Sequence, residues 1–173
     1  MGSIGTILSQ SAGLTLGYAA RLLNGVDGKM FARFARPGGV EINSNHPAWA
    51  YGHLSLYPPR VLAHLGDAGA LPIPPGFEDL FKNGAACRDD PTGTIYPAMS
   101  DIREFFFAGY TLATRRIADA PDELLAGPNP AEGRMRELFP TLGAMLNFYL
   151  SGHAQMHLGQ VSAWRRAMGL PAA

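Results

Sequence analysis

Two histidines four residues apart, His153 and His157, interrupt the apolar stripe of the last helical pattern in this 173-residue chain. At about 100° per residue, their side chains fall within roughly 40° of each other and about 6 Å apart along a helix axis. Neutral imidazoles placed in this way can converge on one cation. The same spacing also suits histidines that only pack or face solvent, and a third histidine in a matching setting elsewhere favours the metal. His53 is that third histidine. It lies on the apolar face of another helical pattern, with Trp49 one turn before it and Tyr57 one turn after. Three neutral imidazoles leave one or more positions for water or substrate, which is the open arrangement of a catalytic site rather than a closed structural one. Zinc is the default ion for such a set, and nickel, manganese and iron are also compatible with it.

The neighbouring residues divide into helpers and bystanders. Gln160, one turn beyond His157, can orient an imidazole through its second nitrogen or line a pocket. The Tyr57 hydroxyl can face the same point. In an unbroken helix His46 and His64 share the azimuth of His53, but they stand about 10 Å and 16 Å along the axis, too far to serve one ion. His46 therefore reads as a helix-start residue, and His64 as a surface or second-site histidine. Trp49 and Trp164 read as core. Cys87 sits in CRDDP without a surrounding motif, and Asp89-Asp90 reads as a solvated turn. Arg115-Arg116 and Arg165-Arg166 lie near helix C-termini, where positive charge suits the dipole; an anionic thiol is their alternative use.

Helices must carry these residues. Residues 3–24 place Ile4, Ile7, Leu8, Leu14, Tyr18 and Leu22 on one stripe, with Asn24-Gly25 as the stop. A second helix is expected from Asn45, as cap, to Gly66, kinked or broken at Pro58-Pro59. Residues 67–99 hold five prolines and four glycines and read as a long connection, with a short helical piece over residues 76–82. Ser100 caps a third helix that buries Ile102, Phe105, Phe106, Gly109, Leu112 and Ala113. Residues 121–137 read as loop, and a fourth helix runs from Thr141 to a stop at Gly169 and Pro171. No segment alternates with period two for long enough to require a sheet. The expectation is one all-α domain over residues 1–173, a four-helix bundle with long connections between helices two and three and between three and four.

Composition limits the partners. Basic and acidic side chains balance at zero net charge with a pI near 7, which leaves no electrostatic footprint for nucleic acid or an anionic membrane. A single cysteine excludes a disulfide framework and suits a reducing cytoplasm. The opening stretch has no basic residue before its apolar part and reads as neither a signal peptide nor a membrane span.

The motifs NHPAWAYGHL and, a hundred residues later, HAQMHLGQ, with the closing GQVSAWRRAMGLP, resemble the DinB-like (DinB/YfiT) metalloprotein superfamily. That superfamily includes S-transferases that use bacillithiol or mycothiol. The resemblance implies a four-helix bundle in which one histidine of the second helix and an H-x-x-x-H pair of the last bind a divalent metal. Carried over, these ligands are His53, His153 and His157. It further implies transfer of a low-molecular-weight thiol to a small electrophile, and a homodimer built with the first helix and parts of the last. The Pro58-Pro59 pair and the long proline-rich connection depart from the plainer family pattern. Two other readings stand beside it: a metal-dependent hydrolase, and a non-catalytic protein in which the ion joins the second helix to the last.

Overall fold

The computed structural model describes residues 2–173 and contains no strand among them. Among the described residues the β-type pairings are two isolated bridges, Ala35 with Ile42 and Pro128 with Thr141. Helix α1 spans Ser3–Leu22 and carries no charged side chain before Arg21. It ends near the expected stop, where Gly25 takes φ 74°, a left-handed value that glycine adopts without a Cβ clash.

The expected second helix is two helices, α2 (Pro47–Ser55) and α3 (Tyr57–His64), joined at Leu56. Pro58 and Pro59 fall in the first turn of α3, where a missing amide costs nothing, so the pair starts a helix as well as ending one. The cap of α2 is His46 and not Asn45: the His46 Nδ1 accepts the Trp49 amide at 3.3 Å. Within the long connection α4 forms at Phe77–Phe81, close to its expected place.

Helix α5 (Met99–Asp119) begins one residue before Ser100 and has no side-chain cap; the Ser100 hydroxyl donates instead to Asp101. Two short helices, α6 (Asp122–Ala126) and α7 (Arg134–Leu138), occupy what reads as loop. Runs this short carry too few residues for periodicity to show. Thr141 caps α8 (Leu142–Asn147) by accepting the Ala144 amide. A π-helical turn, Phe148–Gly152, then leads directly into α9 (His153–Ala167). The apolar stripe does not announce that turn, because one widened turn barely alters a 3.6-residue period.

Helix α1 packs along α5, α2 and α3 cross α5, and α9 lies against both α1 and α2. The α1–α5 approach is close because Gly5 has no side chain: a Cβ there would lie 2.3 Å from the Ile117 carbonyl oxygen. Tyr51 of α2 is fully buried, donates its hydroxyl to the Ala19 carbonyl at 2.6 Å, and sets its ring against Phe106 of α5. These contacts belong to one continuous apolar cluster.

Two charged pairs differ from their expected settings. Asp90 is buried and accepts the backbone amides of Thr94, Ile95 and Tyr96, while Asp89 holds Arg33 through two bonds of 2.9 and 3.1 Å and also the Phe34 amide. They order the connection rather than form a solvated turn. Arg165 is also buried, and its guanidinium donates to the carbonyls of Leu22, Asn24 and Pro171. It serves the C-terminus of α1 and the end of the chain, not the terminus of its own helix.

Candidate metal centre

His53 stands in α2 and is 3% exposed, while His153 and His157 are half-buried in the first turns of α9. Packing of α9 on α2 brings the three rings together. The Nε2 atom of His153 lies 3.3 Å from that of His53 and 3.1 Å from that of His157. One ligand atom from each of the three falls within 4.8 Å of the others. A tetrahedral ion with bonds of about 2.0–2.1 Å to nitrogen needs neighbouring nitrogens about 3.3 Å apart. Two of the three separations match that spacing, and the three rings lie close enough to hold one ion.

Hydrogen bonds at the far ring nitrogens fix the tautomers. The Nδ1–H of His53 donates to the Phe81 carbonyl at 2.7 Å, and that of His157 donates to Gln160 Oε1 at 3.0 Å. The same Gln160 oxygen accepts from Asn45 Nδ2 at 2.9 Å, so the glutamine is itself held from the loop before α2. With protons committed at Nδ1, the Nε2 lone pairs of both rings point into the cluster. His153 can supply a proton to one of them but not to both, whereas a cation can accept all three lone pairs. The Nδ1 of His153 is buried without a partner.

Electrostatics keeps the rings neutral, as ligands must be. Burial lowers the pKa of His53 to about 4, and burial followed by repulsion from His157 and His53 lowers that of His153 to about 3. Burial also lowers the pKa of His157, with the Gln160 bond opposing it.

The chain matches no family model, no curated protein and no solved structure. The site must therefore be read from its own geometry. No helix among the described residues is long and apolar enough to cross a membrane.

The surrounding residues sort as follows. The Tyr57 hydroxyl lies 3.4 Å from His53 Nε2, and its ring lies 4.4 Å from the ring of His153. Trp49 is buried, and it also walls the site, stacked on His53 with 4.8 Å between ring centres. His46 lies outside the cluster, fully buried and donating Nε2–H to the Arg88 carbonyl, and His64 ends α3 away from it. Burial pushes the Cys87 thiol up to about 11, the opposite of an activated nucleophile.

Two positioning groups have no signal in the sequence. One is Phe81, whose carbonyl arrives because its ring rests on Gly52, where a Cβ would lie 2.4 Å from the ring. The other is Asn45, whose bond spans 115 residues.

Proposed function

We propose that this chain is a DinB-like four-helix-bundle protein that binds one divalent cation through His53, His153 and His157 and transfers a low-molecular-weight thiol to small electrophiles. The observation that carries the metal reading is the Nε2 spacing of 3.1 and 3.3 Å in rings whose Nδ1 protons are already committed to Phe81 and Gln160. The fold is consistent with the bundle: four lengths of helix, α1, α2 with α3, α5, and α8 with α9, share one core. The thiol and the electrophile come from the family resemblance.

When bound, a divalent ion, with zinc or nickel first and manganese or iron next, supplies Lewis acidity and makes a thiol or a water easier to deprotonate. The protein's own groups do the rest. His53 and His157 are oriented before any ligand arrives, Trp49 excludes water from one side, and the Tyr57 hydroxyl can hold or return a proton at the edge of the cluster. The same reading carries a homodimer, for which the exposed Ile7 and Leu14 of α1 and Met156 of α9 offer apolar surface.

Metal content per chain, measured on protein purified without a polyhistidine tag, tests the reading. Near-stoichiometric metal in the wild type, lost in His53→Ala and His157→Ala, is the expected result, followed by turnover with thiols and electrophiles rather than with esters or amides. A wild type that contains no metal and takes up neither added zinc nor nickel would leave a hydrogen-bonded cluster, with His153 donating to His157 and Tyr57 to His53.

A further inference from the structure

The three rings bring no negative charge to the site, and the groups that hold them bring none either. Their partners are the Phe81 carbonyl, the Gln160 amide, the Tyr57 hydroxyl and one another. Among the described residues, no carboxylate hydrogen-bonds to any of the three imidazoles. A divalent ion held there keeps its whole charge, so an anion is the ligand that the site favours electrostatically.

A cation stands against the far side of Tyr57. The Arg60 guanidinium lies 5.1 Å from the centre of the Tyr57 ring, and the hydroxyl of that ring reaches to 3.4 Å from His53 Nε2. Tyr57 thus touches the guanidinium with its ring face and the histidines with its hydroxyl. The acidic partner of Arg60, Glu78, is 3.5 Å away, and the two side chains are 44% and 53% exposed. An ion pair that long and that wet binds weakly and yields to a better-placed anion.

We propose that Arg60 is a specificity-determining residue of this site, taking the carboxylate of a small bifunctional ligand whose other end reaches the histidine cluster. A guanidinium already braced against an aromatic face presents a planar fork to a carboxylate, which a lysine does not. The ligand class is a short anion that carries a carboxylate at one end and a metal-seeking atom at the other. The assignment rests on the histidines holding a divalent ion, and the experiment separates the two claims.

Full-length protein loaded with cobalt(II) is titrated with 3-mercaptopropionate, 2-mercaptoethanol and cysteamine, which are anionic, neutral and cationic thiols, and ligand entry is read from the visible cobalt bands. The wild type should favour the anionic thiol and disfavour the cationic one. Arg60→Gln should lower the ratio of anionic to neutral affinity by about fivefold, the size of a good exposed ion pair, with cobalt still bound stoichiometrically. Comparing ratios between variants cancels differences in thiol acidity. Glu78→Gln should raise the ratio, and it tests the assignment even if Arg60→Gln folds poorly. Cobalt bound with equal ratios in wild type, Arg60→Gln and Glu78→Gln would overturn the role of Arg60 and leave the metal site standing. Failure of the wild type to bind cobalt at all would overturn the metal site, and the assignment with it.

Discussion

The α1–α5 contact and the α2–α9 contact are both close helix approaches, built on opposite principles. Between α1 and α5 a missing side chain allows the approach. Gly5 lies against the Ile117 carbonyl, where a Cβ would fall 2.3 Å from the oxygen. Between α2 and α9 three imidazoles fill the gap, and two of them, His53 and His157, are held at their outer nitrogens by Phe81 and Gln160. The first interface gains from burying apolar surface and tolerates no added atom. The second keeps lone pairs facing one another at 3.1 and 3.3 Å, an arrangement that costs stability unless something accepts them. Binding capacity therefore resides in the less self-sufficient of the two contacts.

Breaking the second contact should have the largest effect. His153→Ala, which removes the ring shared by both short distances, should abolish stoichiometric metal binding and leave the helical circular dichroism intact. Elemental analysis and far-ultraviolet spectra check this together. Breaking the first contact should show the reverse pattern. Gly5→Ala forces a methyl against a backbone oxygen and should cost about 1–3 kcal/mol in urea unfolding, while the purified folded fraction retains its metal. A comparable loss of metal stoichiometry in that folded fraction would mean that the two contacts are not independent.

A smaller effect should come from the support of the second contact. Gln160→Ala removes the acceptor that orients His157 and should weaken metal affinity by roughly 10- to 100-fold in a competition titration, with thermal stability of the metal-free protein little changed. The smallest effect should be the dependence on pH. His53 and His153 protonate near pH 4 and 3 in the folded chain, chiefly because they are buried, against an ordinary value of 6.5. Between those values the unfolded chain binds more protons. This part of the stability is therefore complete above about pH 6.5 and is lost as pH falls toward 4 and then 3. Urea midpoints of the metal-free protein should decline over that range, and less steeply in His53→Ala. An identical slope in the variant would mean that other groups govern the decline.

The helical class, the helix near each end, the short piece at Phe77–Phe81 and the Thr141 cap were all legible in the sequence. Periodicity, proline and glycine are local signals, and these elements are decided locally. The i, i+4 pairing of His153 with His157 was legible for the same reason, since one turn of helix sets it. The choice of His46 over Asn45 as cap was not, because Asn45 is drawn away by Gln160, which is distant in the chain. Arg165 and Asp90 misled because charge in a sequence suggests solvent, whereas these two are buried among backbone groups supplied by other segments. The sequence by itself determined which residue types could hold an ion and which helices would carry them. Only the tertiary structure decided that His53 meets the pair, that Phe81 and Gln160 direct the lone pairs inward, and that Arg60 lies over the Tyr57 ring. The physical reason is that orienting an imidazole takes a hydrogen bond at its far nitrogen, and here the partner to His53 comes from a carbonyl 28 residues along the chain, which no pattern of side chains can announce.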